Sequence, residues 1–150
     1  MMADPTQKEE LTSLKLLVVL SKAYKNVMDS VSKDIRSYDL SPSEFGILEV
    51  LHSKGRIPLQ QIGEKILITS GTMTYNIDKL CKKGWIARIP SQEDRRVIFA
   101  ELTEQGQTFF GQIFPQHANR IHDLMGGLTQ AQKEEAIELL KLLGKGANGV

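Results

Sequence analysis

Asp94, Arg95 and Arg96 stand together between two apolar runs, "WIARIP" and "VIFAEL", in a chain of 150 residues. Two neighbouring guanidiniums at a hairpin tip can bind phosphate or enter a narrow minor groove, where A·T tracts concentrate negative potential. The carboxylate needs a separate reason. Two residues before Arg96, it can hold that guanidinium by paired hydrogen bonds and fix its aim. A merely solvated, charged turn is the competing account of the same three residues. A second set lies upstream, in "LITSGTMTYNIDKLCKKGW". On a wheel of about 100° per residue with Ile77 inward, Tyr75 lies almost opposite, among Gly71, Thr72, Lys79 and Lys82. Asn76 and Asp78 fall on the flanks of that strip, and Thr74 turns partly inward. Small polar residues at a helix start suit a major groove, with the amino-terminal amides facing phosphate. A solvated face is the alternative here, although such faces are usually rich in Glu and Lys.

Other chemistries find little support. The single cysteine, Cys81, excludes an internal disulfide and a metal site built on paired thiolates. Lys82 and Lys83 beside it can favour a thiolate, so a redox sensor and a small packing residue next to inward Leu80 both stay open. His117 and His122 are five apart, which does not place them on one helix face, and with His52 they suggest no metal site. Cys81 has no histidine base placed by a motif, and neither a P-loop nor G-x-G-x-x-G occurs. The expectation is therefore a chain without cofactor that is not an enzyme. No apolar run approaches the roughly 18 residues of a membrane span, and no signal segment opens the chain, so the expected location is the cytoplasm. Net charge is +1, which argues against a general polycation. The positive excess is local: from Gln61 to Ile98 there are seven Lys or Arg against four Asp or Glu.

These residues need a frame. Leu11, Leu14, Val18, Ala23, Val27, Val31 and Ile35 recur at helical spacing and predict a long helix over 8–37. Leu16, Leu17, Leu20, Tyr24 and Met28 form a second stripe on it, more than one buried face requires, which implies a partner helix. Ser41-Pro42-Ser43-Glu44 reads as a capping box opening a second helix, with Phe45, Leu48 and Leu51/His52 inward and Gly55 as its stop. "PLQQIGEKI" predicts a short third helix with Leu59, Ile62 and Ile66 inward. A fourth is capped by Thr69 or Ser70, buries Met73, Ile77 and Leu80, and closes at Gly84. Short helices in tandem followed by a hairpin make a winged helix-turn-helix. A fifth helix from Thr103 to about Gly126 contains Pro115, where a kink is expected. A sixth starts with the box Thr129-Gln130-Ala131-Gln132 and is expected to end at Gly144, with the last residues frayed.

Residues 40–106 resemble the MarR family of bacterial transcription regulators. "LSPSEFGILEVL" and "ITSGTMTYNIDKLCKKGWIARIPSQEDRRVIFAELTEQG" carry the resemblance, with Asp94-Arg95-Arg96 as the family's D-x-R wing. It implies a mainly α fold with a small β-hairpin wing: a winged helix-turn-helix over 40–102, flanked by dimerisation helices over 1–39 and 103–150. It further implies a homodimeric repressor on a near-palindromic double-stranded DNA operator, released by a small aromatic, phenolic or quinone-type effector. By position, Ser70, Thr72, Thr74, Tyr75 and Asn76 would meet bases or phosphates, Lys79 and Arg95 would join them, Arg96 would probe the minor groove and Asp94 would orient it. Many relatives carry arginine where Tyr75 stands, and tyrosine cannot make arginine's two-pronged contact to guanine, so their base preference is not transferred. Tyr24, Tyr38, Phe45, His52 and Phe114 are candidates to line an effector pocket. "LVVLSKAYKNV", "SYDLSPSEF" and "IFPQHANRI" are similar to the branch that answers quinones and hydroquinones. Thiol-redox sensing through Cys81 and a winged-helix protein-interaction module are the alternative functions.

Overall fold

The structure is a computed structural model that describes residues 4–66 and 70–148. Helix α1, Pro5–Arg36, begins where the Thr6 amide donates to Asp4 Oδ1 at 3.3 Å and Pro5 takes a position that needs no amide donor. The chain turns through Asp39, at φ +61°, into helix α2, Pro42–Lys54. The capping box forms as expected: the Glu44 amide donates to Ser41 Oγ at 3.1 Å, and the Ser41 amide donates to Glu44 Oε1 at 3.0 Å. Gly55, at φ +75°, closes α2 with a conformation that a side chain would oppose.

Strand β1, Ile57–Pro58, and helix α3, Leu59–Ile66, follow; helix α4 then spans Ser70–Lys82. The hairpin consists of β2, Ile86–Pro90, and β3, Ile98–Leu102, paired antiparallel from Ile86 with Leu102 to Pro90 with Ile98. The sequence pattern missed β1, which adds to β3 through Ile57 with Ala100 and makes the order β1-β3-β2. Two residues, one a proline, carry no readable alternation; the Arg56 Nε–H bond to Glu101 Oε2, at 3.0 Å, joins this strand's approach to β3.

Helix α5, Glu104–Leu124, packs tightly where it starts. A Cβ on Gly106 would come within 1.9 Å of the Trp85 carbonyl oxygen, so only glycine fits. The Thr103 amide donates to that same oxygen at 3.0 Å, tying the helix to the root of the hairpin. The α5 helix runs on through Pro115, which lacks the amide that would bond Gly111. Helix α6 covers Gln130–Asn148, four residues past the expected end at Gly144. Gly144 and Gly146 touch nothing beyond their own helix, so they weaken α6 by about 1 kcal/mol each without breaking it.

Two compact units meet inside α5, Met1–His117 and Ala118–Val150. The first holds the core: Phe45, Ile47, Leu48 and Leu51 of α2, Ile62 of α3, Met73, Ile77 and Leu80 of α4, Ile86, Ala100 and Leu102 of the sheet, and Phe110 and Ile113 of α5. Leu59 and Ile66 are only partly buried at its edge, and His52, expected inward, is exposed. The expected inner stripe of α1 is also corrected. Ile35 is buried and Val31 packs on the core, whereas Leu11, Leu14 and Val18 are as exposed as Leu16 and Leu17. Both stripes of the amino-terminal half of α1 are exposed as far as Val19.

Candidate nucleic-acid interface

Met73, Ile77 and Leu80 anchor α4 in the core and so fix what faces outward. Gly71, Thr72, Thr74, Tyr75 and Lys82 are exposed, Tyr75 at 63%. Thr74, expected partly inward, thus belongs to the outer strip. Thr69 and the Ser70 side chain lie outside the described residues, so the expected cap and the Ser70 contact remain expectations. Asn76 is corrected. It is 5% exposed, and its amide donates to the Thr72 carbonyl at 2.9 Å, one turn back along its own helix. A side chain so enclosed has no free edge to offer a base; its place directly before Ile77 in the helical rotation brings it under the surface.

Lys79 departs from expectation in another way. Its ammonium lies 3.5 Å from the carboxylate of Glu44, on α2, and 5.5 Å from the centre of the Tyr75 ring. It is therefore directed at protein groups on both sides, not held out as an independent phosphate contact. Lys83 donates to Glu44 Oε2 at 3.0 Å and to the Asp39 carbonyl at 2.8 Å. Burial pushes the Glu44 carboxyl up, but the Ser41 amide and the two lysines outweigh that and hold it below its ordinary value. Arg88 on β2 pairs with Asp78 on α4, joining the hairpin to the helix.

At the wing the expected clasp is present. Arg96 donates from Nε to Asp94 Oδ1 at 3.2 Å and from Nη2 to Oδ2 at 3.4 Å, while its own amide bonds Oδ1 at 3.0 Å. These bonds lower the Asp94 pKa, so the carboxylate stays charged through the neutral range. The Arg96 side chain nonetheless remains 91% exposed, aimed but accessible. Ser91, which the sequence reading passed over, shapes the tip: its hydroxyl oxygen accepts the amides of Glu93 and Asp94, and its amide donates to Val97. The pairings of Asp78 with Arg88 and of Glu44 with Lys79 and Lys83 likewise leave no local signal, because the partners lie ten or more residues apart. Among the described residues Lys82 and Arg95 have no acidic partner, so the positive excess on this surface rests chiefly on them.

An exposed helix face beside an arginine-tipped hairpin is an arrangement that known proteins share. The MarR family model matches residues 40–98. The transcriptional regulator MhqR of Bacillus subtilis is 46% identical over 135 residues, covering 90% of this chain and 93% of that protein. The chain belongs to the MarR family. A mutant of Escherichia coli MarR complexed with operator DNA shares the fold at a TM-score of 0.75 and 21% identity, over 94% of this chain and 99% of that one. Bordetella bronchiseptica BpsR, whose DNA binding is regulated by 6-hydroxynicotinic acid, aligns at 0.75 and 23%, over 87% and 98%. This MarR-family chain is a DNA-binding transcription regulator and not an enzyme.

The residues expected to meet an effector in this MarR-family protein separate into four places. His52, Phe110 and Phe114 form one group, with ring centres 5.0 Å apart for His52 and Phe110 and 5.5 Å for Phe110 and Phe114. They line a surface cavity with Glu49, Val50, Ser53, Lys54 and Lys65. Phe45 lies beneath it, in the core, against Phe110 and His117. Tyr38 points elsewhere: its hydroxyl donates to Asp34, whose carboxylate also meets His117 Nδ1 at 2.8 Å, and burial with that carboxylate pushes the phenol up to about 12. Tyr24 is exposed on α1, 67% accessible. Of the expected aromatic set, His52 and Phe114 reach this cavity, and Tyr24, Tyr38 and Phe45 do not line it. Cys81 is half-buried; burial raises its pKa ahead of the opposing pull of Arg88, whose Nη1 lies 3.9 Å from Sγ. Lys83, expected to favour the thiolate, is instead spent on Glu44. No helix among the described residues is long and apolar enough to cross a membrane.

Proposed function

We propose that this chain represses transcription in the cytoplasm as a homodimer on a near-palindromic operator and is released by a small aromatic effector. The observation that carries the DNA reading is the exposed strip of Thr72, Thr74, Tyr75 and Lys82 beside an Arg96 that Asp94 holds in a fixed aim. In this reading α4 of each copy enters a major groove, with half-sites about one helical turn or roughly 34 Å apart, and Arg96 probes the flanking minor groove. Tyr75 supplies a phosphate hydrogen bond or a thymine-methyl contact. Residues 40–102 form the DNA-binding lobe, and 1–39 with 103–150 supply the dimerisation helices. Exposed Leu14, Leu17, Leu139 and Leu142 support this last assignment, since a second copy would cover them.

The effector reading rests on the His52–Phe110–Phe114 cavity, with Lys54 and Lys65 beside it and Glu49 on the same wall, a surface suited to a flat ring bearing a polar oxygen such as a phenol. A compound of that class regulates BpsR. Redox control through Cys81 is disfavoured by its half-burial and raised pKa.

Fluorescence anisotropy with the DNA upstream of the chain's own gene, against scrambled competitor, tests the reading. Wild type is expected to bind selectively. Arg96→Ala and Tyr75→Ala should each weaken operator binding by about 1–3 kcal/mol. Unchanged binding by both variants would remove the wing and Tyr75 from the interface. Addition of a quinone, but not of a non-aromatic acid, should release the DNA.

A further inference from the structure

Tyr75 and Lys79 are spaced four apart on α4, and Lys83, one residue past its end, continues the row because its amide still bonds the Lys79 carbonyl at 3.0 Å. At one end stands the exposed Tyr75 ring, with the Lys79 ammonium 5.5 Å from its centre. At the other, both lysines converge on the carboxylate of Glu44, which is 1% exposed. That carboxylate belongs to the cap of a different helix, where Oε1 also accepts the Ser41 amide. Lys83 reaches past it to the carbonyl of Asp39, the non-glycine residue at positive φ in the turn between α1 and α2.

A capping box does not require this arrangement. Glutamine closes such a box as well as glutamate, and a buried charge is costly unless several partners meet it. Here the partners come from the reading helix, 35 and 39 residues away in sequence. The negative charge is also unexpected beside a surface that meets phosphate, because it opposes DNA binding by plain electrostatics. Its contribution has to be geometric. We propose that Glu44 is a positioning residue for DNA reading: through Lys79 and Lys83 it holds α4, and the Tyr75 ring on it, at the angle that operator recognition needs. The proposal rests on the reading that Tyr75 meets the operator.

The test uses a preferred duplex selected from a random library by the full-length wild-type protein. Glu44→Gln keeps the cap and the side-chain volume but removes the charge. Electrostatics alone makes this variant bind every DNA more tightly. Positioning requires the opposite for the preferred site: affinity lower by about tenfold, with binding to scrambled duplex unchanged or raised. Equal or tighter binding to the preferred site overturns the proposal. If the library yields no preferred sequence, the DNA reading of α4 fails first and carries this inference with it.

A charge-matched pair covers the case in which Glu44→Gln does not fold. Lys79→Gln breaks the link to Tyr75, whereas Lys82→Gln removes a charge of the same sign from the same face. The first should lower the ratio of preferred to scrambled affinity, and the second should weaken both alike with the ratio kept. Identical behaviour of the two variants overturns the proposal. Ser41→Ala, which removes a cap acceptor and leaves the carboxylate, should lower Tm while retaining the ratio.

Discussion

The winged lobe and the two terminal helices use apolar residues in opposite ways. In the lobe, Ile47, Leu48, Ile62, Ile77 and Leu80 are fully enclosed, as is Phe110 of α5, which belongs to the same core. In α1 and α6, Leu11, Leu14, Leu17, Leu139, Leu140 and Leu142 lie open, each more than half accessible. Burial of such a side chain stabilises by roughly 1.5–3 kcal/mol. The lobe already has that contribution from its own contacts. The apolar faces of α1 and α6 have it only if another surface covers them, so the lobe's order is local to one chain and theirs is conditional on association.

Truncation in the core that the lobe shares with the start of α5 should produce the largest effect. Phe110→Ala removes a ring that touches Phe45, His52 and Phe114 at once. It is expected to destabilise by about 3–5 kcal/mol, measured by urea unfolding, and to do so equally at low and high protein concentration. A concentration-dependent loss would mean that the lobe is not self-sufficient and would weaken the contrast.

The double change Leu14→Glu with Leu17→Glu comes next. It places charge on the open face of α1 and touches no core residue. Sedimentation is expected to show a shift from dimer to monomer, with a loss of operator affinity because two half-sites no longer bind together. Far-ultraviolet circular dichroism should retain the helices of the lobe. An unchanged dimer would assign that face to something other than a second copy.

The smallest expected effect lies where α1 meets the lobe. Tyr38 titrates near 10 in the unfolded chain and at about 12 in the folded one, so folding favours its protonated form. Its contribution is fully present below pH 10 and is lost as pH rises from there towards 12. Tyr38→Phe should lower Tm modestly in the neutral range, where the hydroxyl's bond to Asp34 is lost, and flatten the decline above pH 10. A variant with the wild-type alkaline slope would place the titration on another group.

Much of the site was legible because its signals are local. The box Ser41–Glu44 closes within four residues, the inward set Met73, Ile77 and Leu80 follows one helical period, and the Asp94–Arg96 clasp spans two positions. Strand β1 was not legible, because its two residues become a strand only by pairing with β3. Asn76 and Thr74 were misplaced by a wheel that knows the period of a helix but not the depth to which the neighbouring helices enclose each flank.

Lys79 shows the same limit in energetic form. As a letter between Asp78 and Leu80 it is a cation on a polar face; beside Glu44 it becomes one of two lysines paired with a buried carboxylate. What the amino-acid order determined by itself was the run of helices, the boxes at Ser41 and Thr129, the inward face of α4 and the aimed arginine of the wing, all set by interactions between residues a few positions apart. What only the tertiary structure decided was which polar side chains remain available to DNA, because that depends on contacts between α2, α4 and the hairpin, whose partners lie far apart along the chain.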